Sequence, residues 1–591
     1  MKNLNTFFFL LLLLCSTNTF GQKDQTGNML DYILEEKTHF EHPLKLKGLR
    51  GPTEEQGTGD IVLRDGREFK MTHNTVFSLS EGEPMIAVDP NDPNRIALGY
   101  MVLSTSLDMP VYHSEDGGET WKKSTFSTLK AIQRDKETSA GTLLGGGDPV
   151  LVYDIDGRLW YSYISYTAEA SGAKFICWLA YSDNNGGSFK QTTKSKFVGR
   201  AKIVNQAIVT NYGNGLLDRQ WMVIDHTNGP NRGRHYFSGL YVKKGTLVPQ
   251  IMVISRDSSE DAFPTQLRPI STATGPQFAH MVIDNNGVLH VIYATIASGE
   301  VIYQQSADGG RTFSNPVPVD FMVYNKQAPV KNVQMRENPM PNIAASKDGS
   351  VLYASWTDFA GNKAHAYINR STDGGKTWER AYDVDDFSEF GIYSLMPTIA
   401  MNSEDDLVVS WYEIDERLKG QFTMAVKLHN QEKFETIPLF ASTETTPFKR
   451  YVNNRTVFFG DYFNSTTFGT KTYTAFSDGR KNKGAKLYLA ITDHKSLQTK
   501  IVEVKDASLK IEEVYPQPSR GSVHIRLNHS INEEVSGEWT GMDGKVIGHV
   551  QAKVHNGHLQ LQIPSGCVDG VYVLKLSAGD QALTTKVMVG R

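Results

Sequence analysis

The segment S-E-D-G-G-E-T-W, from Ser114 to Trp121, decides the expected fold because the same pattern returns along the chain. It recurs as S-A-D-G-G-R-T-F (306–313), as S-T-D-G-G-K-T-W (371–378) and more loosely as S-D-N-N-G-G-S-F (182–189). In chain order, successive starts are 68, 124 and 65 residues apart, so the longest gap has room for one further copy. The segment 255–263 inside that gap is a candidate remnant of it. A fixed period of this length indicates a repeat architecture.

Each copy has the composition of a tight turn between two strands. The third-position Asp can accept hydrogen bonds from amides of its own turn, and Gly supplies the positive φ that other residues resist. The final aromatic residue begins the next strand and has an apolar face to bury. Alternating runs such as V-Y-H and V-I-Y precede the turns and predict strands. A structural role is therefore expected for Ser114, Asp116, Gly118, Trp121, Ser306, Asp308, Gly310, Phe313, Ser371, Asp373, Gly375 and Trp378.

The repeated turn resembles the Asp-box, also called the BNR repeat, of the sialidase superfamily. The resemblance implies a β-propeller whose boxes lie on outer turns of the blades, away from the active site. One carboxylate per turn supplies too few oxygen ligands to hold a calcium ion. No metal site is therefore expected at these turns.

A second element recurs upstream of the box positions as a short apolar run that ends in a turn residue. Its seven copies begin near residues 83, 148, 218, 277, 341, 397 and 460. Each unit then reads as four short strands, and four strands per unit repeated in a ring predict a β-propeller. The predicted fold class is all-β: a propeller of four-stranded blades, with seven blades favoured and six possible, followed by a small C-terminal β-sandwich.

Residues 1–21 predict a secretory signal peptide, because Lys2 precedes an apolar run that ends at Leu14. The run is too short to span a bilayer, so no transmembrane anchor is expected. Cys15 leaves lipid modification as an alternative, which Leu14 disfavours because a small residue usually stands there. Residues 22–80 form a polar segment with short strands near 61–63 and 76–79, one of which is a candidate to close the ring.

Composition sets the class of protein and the extent of its domains. With 591 residues and a net charge of −4, the chain is long enough for two domains and is not expected to bind nucleic acid. Only Cys177 and Cys567 remain after signal removal, which excludes a disulfide framework. The propeller is expected over residues 81–495, a linker over 496–510 and the sandwich over 511–591.

The last module resembles the type A C-terminal sorting domain of the type IX secretion system of Bacteroidota. The similarity is carried by Y-P-Q-P-S-R-G from Tyr515, the D-G-K turn from Asp543, G-V-Y-V-L from Gly570 and K-V-M-V from Lys586. It implies the type IX secretion machinery as a partner. The expected location is secreted or at the outer cell surface, after removal of the signal peptide and the sorting domain.

Residues at one phase of the second element are expected to ring one mouth of the propeller channel. This ring contains Glu83, Asp148, Asp218, Arg219, Gln277, Arg336, Glu337, Tyr393, Asp461 and Tyr462, and Arg480 is expected to face the same space. Catalytic roles are predicted for Asp148, Asp218 and Tyr462, and substrate binding for Arg219, Arg336, Asp461 and Arg480. A structural alternative, in which Asp148 and Asp461 only cap strand starts, stays open.

The resemblance implies the parts of a sialidase: three Arg that clamp a carboxylate, a Tyr nucleophile and an Asp acid–base. The R-I-P motif of that family is absent, and the nearest string is R-I-A from Arg95. The 16 His show no H-x-H or H-E-x-x-H spacing, so no metal or other cofactor is expected. Two functions remain open. One is a sialidase-like enzyme acting on an acidic or complex glycan, and the other is a non-catalytic surface propeller that binds protein or glycan. The expected partner is an extracellular glycan or glycoprotein.

Overall fold

The computed structural model describes most of the chain between Gly66 and Gly590. The described residues are 66–70, 80–103, 108–135, 142–169, 172–191, 196–204, 207–213, 216–242, 249–257, 268–271, 275–323, 338–359, 364–384, 393–415, 419–429, 438–441, 446–447, 460–478, 486–494, 511–527, 534–554, 558–578 and 581–590. The predicted signal peptide, most of segment 22–80, the linker 496–510 and part of the box remnant at 255–263 lie outside these ranges.

Seven antiparallel sheets precede the C-terminal module in the described part of the chain. Blade 1 contains β2 (Ser80–Asp89), β3 (Asp92–Leu103), β4 (Val111–Ser114) and β5 (Lys122–Lys123). Blade 2 contains β6 (Thr142–Tyr153), β7 (Leu159–Glu169), β8 (Gly172–Ser182), β9 (Lys196–Val204) and β10 (Ala207–Gly213). Blade 3 contains β11 (Leu216–Ile224), β12 (His235–Val242), β13 (Pro249–Arg256) and β14 (Arg268–Pro269). A short helix, α1 (Thr128–Arg134), follows blade 1.

The remaining blades repeat the same plan. Blade 4 contains β15 (Pro276–Ile283), β16 (Leu289–Thr295), β17 (Glu300–Ser306) and β18 (Val317–Phe321). Blade 5 contains β19 (Asn342–Ala345), β20 (Leu352–Asp358), β21 (His365–Ser371) and β22 (Glu379–Asp383). Blade 6 contains β23 (Tyr393–Met401), β24 (Leu407–Ile414), β25 (Lys419–Lys427), β26 (Pro438–Ala441) and β27 (Thr446–Pro447). Blade 7 contains β28 (Asn464–Phe468), β29 (Lys471–Asp478), β30 (Lys486–Asp493) and β1 (Gly66–Lys70).

The seven sheets form a closed ring. The first strands of consecutive blades contact one another in the order β2, β6, β11, β15, β19, β23 and β28, and β28 contacts β2. The ring closes through β1, which pairs with β30 in the register Gly66 to Thr492 and so supplies the fourth strand of blade 7. The predicted fold class is confirmed, with seven blades. The closing strands proposed at 61–63 and 76–79 lie outside the described residues.

Apolar side chains between neighbouring blades hold the ring together. Between blades 1 and 2, Val111 packs in one cluster with Tyr161 and Trp178, each at most 1% exposed. Between blades 1 and 7, Leu98 packs in one cluster with Leu489. Burying a large apolar side chain of this kind stabilises the fold by about 1.5–3 kcal/mol.

The turn after the first strand of a blade repeats along the ring. In blades 1 to 4 an Asp ends or follows the first strand, and its carboxylate accepts hydrogen bonds from backbone amides of the turn. In blade 6 an Asn side-chain oxygen accepts such bonds, and in blade 5 a Ser hydroxyl does. The residues are Asp89, Asp154, Asp225, Asp284, Ser346 and Asn402. Short polar side chains at these positions mimic the backbone and stop the strand.

The four box segments form turns between the third and fourth strands of blades 1, 2, 4 and 5. In blade 2 an isolated β-bridge between Tyr181 and Lys190 closes the turn, ahead of β9. In the first turn, Asp116 Oδ1 accepts the Ser114 hydroxyl at 2.7 Å and the Thr120 amide at 2.9 Å. In the third and fourth copies, Asp308 and Asp373 accept equivalent bonds. Gly375 has φ +85°, and a Cβ there would overlap the ring of a buried Tyr. The predicted hairpin-turn structure is therefore present.

These turns identify the two ends of the ring. In an antiparallel blade the first and third strands run in the same direction. The box turns and the Asp turns therefore lie at one end, where the first strands finish. The opposite end, where the first strands begin, is called here the entry end.

The C-terminal module is a small two-sheet sandwich. One sheet contains β31 (Ile511–Arg520), β32 (Ser522–Leu527) and β35 (His558–Gln562). The other contains β33 (Glu534–Gly541), β34 (Val546–Lys553), β36 (Gly570–Ala578) and β37 (Gln581–Val589). Trp539 and Leu574, both fully buried, pack with Ile525 in a core that draws on both sheets.

By internal contacts the chain divides into two units. The first covers Met1–Met424, Leu428–Glu432 and Phe440–Thr492, and the second covers Ala425–Lys427, Lys433–Leu439 and Asp493–Arg591. Among the described residues, no helix combines the length and apolar character needed to cross a bilayer.

Candidate functional site

Each blade has a left-handed residue at the entry end, within its first strand or, in blades 5 and 7, just before it. The seven residues have φ between +40° and +99°, and five of the seven positions coincide with a register shift between the first and second strands. They are Glu83, Asp148, Arg219, Phe278, Met340, Met396 and Gly460, one from each blade. Positive φ is uncommon for any residue other than Gly, so these bulges turn the chain sharply at one end of the channel. We call this set the bulge ring.

Side chain–backbone hydrogen bonds and close packing join neighbouring blades at the bulge ring. The Asp148 amide donates to Glu83 Oε2 at 3.1 Å, and Gln220 Nε2 donates to the Asp148 carbonyl at 2.6 Å. Gly460 lies so close to Glu83 that a Cβ at position 460 would stand 2.4 Å from the Glu83 amide nitrogen. The ring is therefore tightly packed where blades 7, 1, 2 and 3 meet.

A buried ion pair joins two blades that are not neighbours. Arg219 of blade 3 donates from Nη1 to Asp461 Oδ2 of blade 7 at 2.8 Å, and the two side chains are 5% and 2% exposed. The guanidinium also lies over the Phe278 ring at 4.7 Å and near the Tyr462 ring at 5.8 Å. Because blades 3 and 7 stand on different sides of the ring, this pair reaches across the channel.

An aromatic cavity opens beside the ion pair. Its enclosed volume is about 30 Å³, and the space reaches about 420 Å³ when the open solvent at its mouth is counted. Residues of blades 2, 3, 4, 5 and 7 line it. Trp221, which is half-buried, packs against His280 with ring centroids 4.5 Å apart and against Tyr462 at 6.1 Å. The other lining residues are Asp148, Arg219, Gln220, Phe278, Ala279, Met340, Pro341, Asn342 and Phe463.

The electrostatics of the cavity are dominated by burial and by carboxylates. Burial raises the pKa of the Tyr462 phenol well above its usual value, and Glu83, Asp148 and Asp461 raise it further while Arg219 opposes them. Burial lowers the pKa of His280 to about 3, so this imidazole is neutral at physiological pH. The cavity is thus a low-dielectric space with few groups that change charge near pH 7.

The structure brings four of the predicted site residues together. Asp148, Arg219 and Tyr462 line the cavity, and Asp461 is bonded to Arg219 beside it. Arg336 and Arg480 lie outside the described residues. The catalytic and binding roles predicted from the sequence stay predictions.

Asp218 is placed differently from the sequence prediction. The residue equivalent to Asp148 is Arg219, since both occupy the left-handed position of their bulge. Asp218 precedes the bulge, is 1% exposed and is absent from the cavity lining. Burial raises the pKa of the Cys177 thiol in blade 2 to about 12, and Asp148 and Asp218 both contribute to this shift.

Other members of the predicted ring also precede the bulge residue of their blade, by one position in blade 4 and by three in blades 5 and 6. Blade 4 places Phe278 at the bulge, not Gln277, and blade 6 places Met396 there, not Tyr393. In blade 5 the bulge residue is Met340, and Glu337 lies outside the described residues. Arg95, in the nearest string to R-I-P, pairs with Asp89 at 2.5 Å at the box end, far along the strand from the bulge ring.

Several aromatic and polar residues of the cavity were not among the predicted site residues. Trp221, His280 and Asn342 each stand two positions after a left-handed residue, as Tyr462 does. This shared spacing is a signal that an alignment of the repeats on the bulge would have found.

Comparison with known proteins identifies the C-terminal module. Residues 513–590 match the family described as the secretion system C-terminal sorting domain. The predicted sorting domain is thereby confirmed. The chain is exported through the type IX secretion system to the cell surface or the medium, with the sorting domain removed.

The other similarities are more distant. A xyloglucanase from a Paenibacillus species is 23% identical over 325 residues, which are 52% of this chain and 27% of the xyloglucanase, so the chain spans about a quarter of that relative. A crystal structure of a protein of unknown function from Dyadobacter fermentans is 13% identical with a TM-score of 0.40, covering 73% of this chain and 98% of that one. The Hadza microbial sialidase Hz136 is 16% identical with a TM-score of 0.36, covering 56% and 63%. At these TM-scores the two structural likenesses carry no information about function.

Proposed function

We propose that this exported propeller binds a complex glycan in the aromatic cavity at the entry end of its channel. The observation that carries the proposal is the pairing of a half-buried Trp221 with the polar side chain of Gln220 in one concave space. Sugar rings present apolar C–H faces and polar hydroxyl edges. A site for them therefore needs an aromatic platform beside hydrogen-bonding groups.

The position of the cavity supports the same function. Residues of five blades converge on it, whereas the box turns lie at the opposite end of the blades. Six residues other than Gly are held at positive φ in the bulge ring, which costs about 1–3 kcal/mol each. Strain of this kind is commonly kept where the backbone must present a particular surface.

Binding is favoured over hydrolysis by a tyrosine nucleophile. A phenol whose pKa is raised by burial and by three carboxylates is difficult to ionise, and the phenolate is the form that attacks. Arg219 is engaged with Asp461 and with two aromatic rings, so its donors are committed within the protein. Both features favour the non-catalytic alternative of the two functions left open by the sequence.

The ligand class is supported by two further observations. Export to the cell surface or the medium brings the propeller to extracellular polysaccharides, and the xyloglucanase similar over 325 residues is named for a polysaccharide. Because that relative is named as a hydrolase of a polysaccharide, hydrolysis of a polysaccharide is the second candidate function.

The test is a glycan array with a parallel turnover screen on the full chain. The array should present plant and microbial polysaccharides together with sialylated glycans, and products should be sought by chromatography after long incubation. We expect saturable binding to at least one polysaccharide without release of products. Product release would select the hydrolase, and the absence of glycan binding would refute the proposal in favour of a protein-binding propeller.

A further inference from the structure

We propose that the cavity selects uncharged sugars by their hydroxyl donors and excludes sugars that carry a carboxylate or sulfate. This inference rests on the proposed glycan site and specifies the chemistry of its ligand. A preference for uncharged sugars is the opposite of what is expected of a site that binds an acidic sugar through arginines. Three observations on the lining residues lead to it.

The first observation is an unsatisfied acceptor. Gln220 is 2% exposed, and its Nε2 donates to the Asp148 carbonyl at 2.6 Å. This bond fixes the orientation of the amide, because the reverse orientation would place two oxygen acceptors against each other. Gln220 Oε1 is then buried at the cavity without a hydrogen-bond partner among the described residues. A buried amide oxygen of this kind requires a donor, and a ligand hydroxyl supplies one.

The second observation is the balance of charged groups. Asp148 lines the cavity, and the Glu83 and Asp461 carboxyl groups bond to the lining residues Asp148 and Arg219. Arg219 is the one Lys or Arg side chain among the described residues that line the cavity. The guanidinium is held by Asp461 at 2.8 Å. Among the described residues, an anionic ligand would therefore meet more carboxylates than cations. In a buried site such repulsion is weakly screened.

The third observation is the protonation of the neighbouring ring systems. His280 is neutral because burial lowers its pKa to about 3, so it adds no positive charge to attract an anion. The pKa of the Tyr462 phenol is raised by burial first and then by Glu83 and Asp148, so this ring is also neutral and an anion beside it would be repelled by those carboxylates. A neutral sugar meets no such penalty and can use its hydroxyls toward Gln220.

The experiment compares matched probes on the full chain. Oligosaccharides of xyloglucan, β-glucan and galactan are each titrated beside the derivative whose primary hydroxyls have been oxidised to carboxylates. We expect the neutral member of each bound pair to bind at least tenfold more tightly. Because repulsion in a buried site is weakly screened, raising the salt concentration should leave the ratio of the two affinities nearly unchanged.

A variant shows whether the preference comes from the cavity. Asp461→Asn removes one carboxylate and releases Arg219, so the ratio of neutral to carboxylated affinity should fall at least threefold. Asp183→Asn changes the net charge equally at an exposed box-end turn, where Asp183 pairs with Arg158, and should leave the ratio unchanged. Asp148→Asn provides a second cavity variant if Asp461→Asn does not fold.

The outcomes separate this inference from the proposed function. Tighter binding of carboxylated or sialylated probes would overturn the selectivity while glycan binding itself stood. An unchanged ratio in both cavity variants would also overturn it. Failure of every probe to bind would refute both the selectivity and the proposed glycan site.

Discussion

Replacing Arg219 by Met tests the ion pair that crosses the channel. The variant leaves the Asp461 carboxylate buried without its guanidinium partner, while the Met side chain keeps much of the contact with Phe278. Both charged side chains are at most 5% exposed. For a pair buried to this degree, loss of one partner costs about 3–5 kcal/mol, because the remaining charge stays desolvated.

The double variant Arg219→Met, Asp461→Asn should be more stable than Arg219→Met alone, since it removes the uncompensated carboxylate. The matched control is Arg158→Met. Arg158 pairs with Asp183 at 2.7 Å, but the side chains are 39% and 41% exposed. A surface pair of this kind contributes about 0–1 kcal/mol.

The assay is urea unfolding of the full chain followed by tryptophan fluorescence. Arg219→Met should lower the free energy of unfolding by several kcal/mol more than Arg158→Met does. Equal effects of the two variants, or a double variant less stable than Arg219→Met, would refute the conclusion that the pair is buried across the channel.

Three further predictions concern other parts of the chain. The hydrogen bonds of its turn lower the pKa of Asp116 to about 2. Its contribution to stability is therefore present above about pH 4 and is lost as the pH falls through about 2. In unfolding curves measured across this range, Asp116→Asn should make stability depend less on pH. Gly460→Ala should lower the free energy of unfolding by about 2–4 kcal/mol, because the new methyl group meets the Glu83 backbone. Gly469→Ala, also at positive φ but facing open space, should lower it by about 1 kcal/mol. Equal losses of stability in thermal unfolding would contradict the packing of the bulge ring. Deleting 511–591 should leave a folded propeller that accumulates in the periplasm, and fractionation that finds it in the medium at normal levels would contradict its role in export.

The fold was predictable because its signals are local. Each box turn carries Ser, Asp, Gly and an aromatic residue at fixed spacing, and each requires hydrogen bonds that it makes within itself, as Asp116 does with Ser114 and Thr120. The first-strand element recurs seven times in the sequence, and this count predicted the number of blades. Closure of the ring by a strand of segment 22–80 was expected, but the position of β1 was not, because its pairing with β30 joins the two ends of the ring.

The site was only partly predictable because its register depends on the bulges. A bulge adds one residue to a strand, and a shift of one residue moves a side chain to the opposite face. Asp218 and Gln277 were therefore placed in the ring where the structure has Arg219 and Phe278. The pairing of Arg219 with Asp461 joins residues 242 positions apart, which local patterns do not encode.

The most direct test of glycan binding in the cavity is the affinity of Trp221→Ala for the best neutral oligosaccharide, measured by calorimetry. Trp221 is the half-buried aromatic platform of the cavity, whereas Phe321, 72% exposed on the outer strand of blade 4, provides an aromatic control. We predict that Trp221→Ala binds at least tenfold more weakly, about 1.4 kcal/mol, while Phe321→Ala binds as the unmodified chain does. An affinity unchanged in Trp221→Ala, with the variant folded, would contradict glycan binding at this site.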